Sequence, residues 1–195
     1  MAVAHRLNTI VTIQIIEDTL MPTTVTFCIN TSSDVCVSED ELATDLKRHR
    51  VAILADEERQ GAMNGALIIR SPGASEIRVA DEIEGTVARI CFFTVPELLV
   101  NKHVVLRHFS YPGYFRLDPE GLKILVSGDY VPSVRVDYRE FILALAACGE
   151  RFIAFLRRLI GDTEDGAARV KVMDEAADVA RQALRDAGDI VPRPG

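Results

Sequence analysis

Histidine, cysteine, clustered carboxylates and an arginine–aromatic run are the residues here that could carry chemistry, and their spacing narrows what that chemistry is. His103 and His108 fall on one predicted strand, five positions apart. Side chains alternate faces along a strand, so the two point to opposite sides and cannot share a metal ion. His49 lies in Lys47-Arg48-His49-Arg50, a basic patch at a predicted helix end, and His5 lies near the N-terminus. Cys28, Cys36, Cys91 and Cys148 form no C-x-x-C pair and no metal spacing. They read as reduced structural thiols, with Cys28, Cys91 and Cys148 in apolar surroundings. A His/Cys nucleophile–base pair across neighbouring strands, such as His108 with Cys91, is left open by the order of residues.

Phosphate-cradling glycine loops, the G-x-S-x-G elbow and the H-E-x-x-H zinc helix are all missing from the sequence. The expectation is therefore a non-catalytic chain without cofactor or metal. Four acidic clusters stand out: Glu39-Asp40-Glu41, Asp56-Glu57-Glu58, Asp81-Glu82 with Glu84, and Asp162 with Glu164-Asp165. Paired carboxylates can bind metals or exchange protons. These fall in a helix first turn or in connections, and Asp162–Gly166 lacks the ligand spacing of a calcium loop. They read as solvated surface, with Asp81, Glu82, Glu84, Asp162, Glu164 and Asp165 as candidate contacts for a basic partner. Between Arg107 and Arg116 aromatic and arginine residues crowd together, and Tyr111-Pro112-Gly113-Tyr114 forms a turn tip. Tyrosine and arginine are enriched in binding hot spots, so Tyr111, Tyr114 and Arg116 are the candidate contacts on the sheet side.

The net charge of −7 disfavours nucleic acid, which needs an excess of Lys and Arg, and suits a basic protein partner. Arginine outnumbers lysine 18 to 4, with abundant alanine, a bias expected of GC-rich bacterial genomes. No apolar run approaches the roughly 20 residues that span a bilayer, and the N-terminus lacks signal-peptide form. A cytoplasmic location is the expectation.

The elements that must position these residues centre on Asp137–Ile160. Phe141, Leu145, Cys148, Phe152, Phe155 and Leu159 recur at helical steps. Asp137 is placed to cap this helix, with Glu140 where a capping box puts its acid. Gly149 costs a helix interior about 1 kcal/mol against Ala, so a kink or break is allowed there. Ser38–Arg50 predicts a second helix with a Ser38/Glu41 capping box, and Val51–Leu54 either continues it or forms a strand. Ala167–Ala187 predicts a last helix with the shallow stripe Met173, Ala176, Ala177, Ala180, Leu184 and Ala187. Strands are expected at Thr9–Ile16, Thr24–Ile29, Leu67–Arg70, Glu76–Val79, Thr86–Thr94, His103–Phe109, Tyr114–Leu117, Leu122–Val126 and Val134–Val136. Turns are expected at Asn30–Ser33 and at Ser71-Pro72-Gly73-Ala74, and a short helix from Pro96 to Lys102.

The architecture so predicted is α+β: a mostly antiparallel sheet or meander over the first two-thirds, covered by a long C-terminal helix pair. Residues 1–190 form a single domain, sheet-rich over 1–136 and helical over 137–188, with a flexible tail at 189–195. The leading functional expectation is a protein-binding module of acidic surface, an inhibitor of a basic partner. In size, charge and architecture the chain has the general character of bacterial toxin-neutralising immunity proteins, though no motif carries that likeness. A small-ligand protein or enzyme with a pocket between sheet and central helix is the first alternative. An assembly subunit pairing through the Ala167–Ala187 helix is the second.

Overall fold

Turn chemistry and capping arrange the described residues as two antiparallel sheets joined by helices. The computed structural model describes residues 22–32 and 35–188. The strand expected at Thr9–Ile16, His5 and the tail from 189 lie outside them. In the first sheet β1 (Thr24–Ser32), β2 (Val35–Ser38), β3 (Asn64–Arg70) and β4 (Ile77–Glu82) pair in the order β2-β1-β3-β4. Strand β1 continues through Asn30 to Ser32, where a turn was expected. The Pro72-Gly73 turn joins β3 to β4 in the expected hairpin, with Leu67 opposite Val79. The second sheet is a meander of β5 (Val104–Arg107), β6 (Tyr114–Glu120), β7 (Lys123–Gly128) and β8 (Val131–Asp137).

The Ser38/Glu41 capping box forms and starts α1, Glu39–Gln60, which absorbs Val51–Leu54 and Asp56–Gln60 into helix. Asp45 is non-helical and kinks it. Asp137 caps α4, Tyr138–Ile160, by accepting the amides of Arg139 and Glu140. No reciprocal box forms there, because the Glu140 carboxylate accepts the Thr23 amide instead, at 3.0 Å. Helix α4 is unbroken at Gly149. The last helix, α5, spans Glu164–Ala187 and begins three residues earlier than expected, capped by Thr163. Glu164 and Asp165 therefore belong to a helix first turn, where acids suit the dipole, and not to a loop.

One expected strand is helix. Thr86–Thr94 lies in a continuous helical stretch made of α2 (Ile83–Val87), a π-helical segment (Ala88–Phe93) and α3 (Thr94–Leu99). Of its buried residues, Ile83, Thr86, Val87, Ile90, Cys91, Thr94, Val95 and Leu98 follow the three-and-four step of one helical face, and Phe92 is buried beside them in the π-helical segment. The single sheet expected over the first 136 residues is consequently two sheets separated by this stretch. Pro96 sits inside α3 and does not begin a helix of its own.

A common core joins both sheets to α4. Phe27 from β1 meets Phe152 edge-on at 5.2 Å, and Phe155 packs beside both rings. From the second sheet Phe115, Leu117, Ile124, Val126 and Val136 enter the same core. Tyr138 donates its hydroxyl to the Leu98 carbonyl at 2.5 Å, pinning the start of α4 to α3. Met173, Ala176, Ala177 and Ala180 are buried against α4 and the helical stretch, so the alanine stripe is docked within the chain. Cys91 and Cys148 are free and buried in the core. Cys28 and Cys36 correct the expectation of reduced thiols: they are joined in a disulfide between β1 and β2. No described helix is long and apolar enough to cross a membrane.

Candidate functional site

Asp81, at the end of β4, organises the loop between β5 and β6. Its side chain is only 2% exposed. It accepts the amides of Phe109 at 2.6 Å, Ser110 at 2.9 Å and Glu82 at 2.9 Å. Burial pushes the Asp81 carboxyl up, but the Ser110 hydroxyl and these amides outweigh it and hold it below its ordinary value. The adjacent Glu82 goes the other way: burial raises it, the Gly85 amide it accepts opposes that only in part, and Glu84 adds repulsion. Tyr111 donates its hydroxyl to the Ala80 carbonyl at 2.8 Å, a second tie between loop and β4.

The sign of the Asp81 shift makes its contribution testable. A carboxyl depressed in the fold stabilises above its unfolded pKa, near 3.8, and that stability is lost as the pH falls through the lower folded value. Asp81→Asn, whose amide faces donors, is expected to lower the unfolding free energy by about 1.5 kcal/mol at neutral pH. The difference from wild type should narrow in acid. Equal denaturant midpoints at neutral pH would remove the anchoring role.

On this frame stands an aromatic cluster. Tyr111 stacks on His108 with ring centres 4.2 Å apart, and Tyr130 from the β7–β8 turn meets Tyr111 edge-on at 5.3 Å. Arg89 lies over the Phe109 ring at 4.5 Å and donates to the Arg107 carbonyl at 2.8 Å. Phe109 rests so closely on Gly85 that a Cβ there would approach its ring to 2.8 Å. Phe109 and Tyr130 remain 50% and 62% exposed. Tyr114 and Arg116 occupy the other end of the loop. There the Tyr114 amide donates to Asp129 at 2.9 Å, and the Arg107 and Arg116 guanidinium groups lie 5.5 and 5.9 Å from the Tyr114 ring.

Gly85 also lines an apolar groove. Glu84, Gly85 and Ala88 form one wall, and Ala168, Arg169, Val172 and Met173 of α5 the other. Val172 is 64% exposed. Arg169 gathers carboxylates from three elements: Glu84 of α2, Glu57 of α1 at 2.5 Å and Asp165 of α5 at 4.0 Å. Burial lowers its pKa, but Glu84 and Glu57 outweigh that and hold it above the ordinary arginine value. Three carboxylates around one guanidinium leave this rim net negative.

The structure thus joins three sequence-distant groups of candidates through direct contacts: Asp81 with the Tyr111 loop, and Glu84 with Asp165 through Arg169. Asp162 and Glu164 stand exposed beside them at the α4–α5 turn, Asp162 4.0 Å from Arg50. Asp81, Glu82 and Glu84 are engaged inside the fold, where they position the face and leave direct contact to others. Phe109, Tyr130, Val172 and Arg169 complete it without having been singled out as contacts. Val172 is an apolar residue off the buried alanine stripe, which is the one sequence signal that pointed to it.

Nucleophile chemistry is not assembled in this region. Ser110 is tied to Asp81 through its backbone amide, at 2.9 Å. The His108 side chain is 4% exposed, with Nδ1 3.5 Å from Asp81. Cys91 faces Cys148 in the core, so the Cys91–His108 pairing does not form. His103 turns to Asp118, 2.8 Å away. Among the described residues no group of three His, Cys, Asp or Glu side chains is placed to hold a metal ion. Compared with protein-family models, curated proteins and solved structures, the chain matches none.

Proposed function

We propose that this chain is a protein-binding module that captures a basic protein partner through the face formed by the Phe109–Tyr111 loop, Tyr130 and the α2–α5 groove. An inhibitor of the toxin-neutralising kind is the biological role that fits such a module. The observation carrying this reading is the meeting, on one rigidly anchored surface, of exposed aromatic and apolar side chains with a net-negative rim. Aromatic anchors supply binding energy, and flanking acids steer a cationic partner and reject others. The filled core under α4, with Phe27, Phe141, Leu145 and Phe152 buried, supports a surface function over a ligand enclosed between sheet and helix.

The test is affinity capture from a lysate of the native host at low and moderate salt. The baits are the wild type, Phe109→Ala and Val172→Lys. One stoichiometric basic protein is expected, released as salt rises, with each substitution weakening it about tenfold. A partner held equally by all three baits would place the interface elsewhere. Retention of no salt-sensitive protein by the wild type would overturn the function.

A further inference from the structure

The disulfide lies on the side of the first sheet that faces away from the common core. Val25, Phe27 and Ile29 of β1 point into that core, whereas Cys28 belongs to a separate small cluster with Ala66 and Ile68 of β3. Cys36 packs on this cluster only partly buried and sits on β2, the four-residue edge strand. Opening the bond therefore leaves the main core intact. From β4, the Arg78 guanidinium donates to Cys28 Sγ at 3.1 Å. A cation against one sulfur of a disulfide favours the thiolate of that sulfur and makes it the better leaving group.

We propose that Cys28–Cys36 is a reversible thiol–disulfide exchange site for a dithiol reductant, with Arg78 stabilising the departing Cys28 thiolate. One thiolate of the reductant attacks Cys36 Sγ, the more accessible sulfur. A bond forms between the reductant and Cys36, the Cys28–Cys36 bond breaks, and its electron pair leaves on Cys28 beside Arg78. The second thiol of the reductant loses its proton to solvent and attacks its own sulfur in the mixed disulfide. Cys36 departs as a thiolate and takes a proton from water. The protein gains two electrons and the dithiol becomes a disulfide. Arg78 acts here as a positioning residue through its charge. Release of the β2 edge is the structural consequence, and β2 leads directly into the Ser38 cap of α1.

The full-length chain is treated with dithiothreitol, and the first intermediate is trapped by acid and mapped by mass spectrometry. The adduct is expected on Cys36, the far-ultraviolet circular dichroism is expected to persist, and removal of reductant under air should restore the bond. Thiolate absorbance is then followed against pH in Cys36→Ser, alone and combined with Arg78→Met or Arg78→Lys. Cys28 is expected to ionise about one pH unit lower with Arg78 than with Met, and Lys should restore most of that shift. An adduct on Cys28, collapse of the fold on reduction, or coincident ionisation curves with Arg and Met would each overturn the proposal.

Discussion

Replacing Gly149 with alanine is expected to destabilise the protein by about 2 to 3 kcal/mol, although in an open helix interior the same exchange gains about 1 kcal/mol. The reason is the closeness of α4 to the π-helical segment. A Cβ at Gly149 would come within 2.3 Å of Phe92 Cε1 and 3.1 Å of the Cys91 Cβ. Neither neighbour can yield easily, since Phe92 and Cys91 are both buried in the core. Overpacking must then move helix against helix or force Phe92 off its rotamer. Urea unfolding of Gly149→Ala gives the sign at once. Phe92→Leu should absorb most of the penalty, so a double-mutant cycle ought to show strong coupling between the two positions. A Gly149→Ala protein as stable as wild type would mean that the helices do not approach so closely.

Loss of Arg169 is expected to have the other large effect. Arg169→Met keeps much of the side chain's apolar length but leaves Glu57, Glu84 and Asp165 facing one another without a cation. Breaking a fully buried pair costs about 3 to 5 kcal/mol. The Arg169 side chain is 27% exposed, so solvent screening brings the expectation down to about 3 kcal/mol. The sign with pH is distinctive. In the variant, protonating the three carboxylates relieves their repulsion, so stability returns as the pH falls through the carboxylate range and is lost again as it rises. In the wild type Arg169 remains charged throughout that range and offsets the same repulsion. Chemical denaturation at neutral pH and near pH 4 distinguishes the two proteins. A deficit independent of pH would assign the loss to packing alone.

The same arginine matters for the proposed capture of a basic partner. Its removal makes the groove rim more negative, and loss of the Arg169–Glu84 pair loosens α2 against α5 and blurs the apolar face. For that reason Phe109 and Val172, which are 50% and 64% exposed and stand outside the Arg169 carboxylate network, are the cleaner probes of binding.

Much of the local structure was legible in the residues themselves. Ser38 with Glu41, Asp137 before α4 and Pro72-Gly73 each satisfy backbone groups within a few positions of themselves, so their effect needs no distant partner. The long helix α4, the meander of short strands and the α+β class followed from periodicity and turns. Thr86–Thr94 was misread because Val87, Ile90, Phe92 and Phe93 carry β-type side chains. The recurrence of buried positions from Ile83 to Leu98 was the stronger signal, and it becomes plain only when the window extends beyond the apolar run. Cysteine spacing likewise gave no sign of the Cys28–Cys36 bond, which depends on the register of β1 against β2.

Charge, the acidic clusters and the aromatic run were thus determined by the sequence alone, as was the candidacy of Tyr111 and Asp165. Which of them act together was decided by tertiary structure. Asp81 finds the Phe109 amide 28 positions away, and Arg169 finds Glu84 at a separation of 85. Contacts of that kind depend on how sheets and helices pack to bury the common core. Local patterns specify which face each element buries, but not which loops the packed elements then bring side by side.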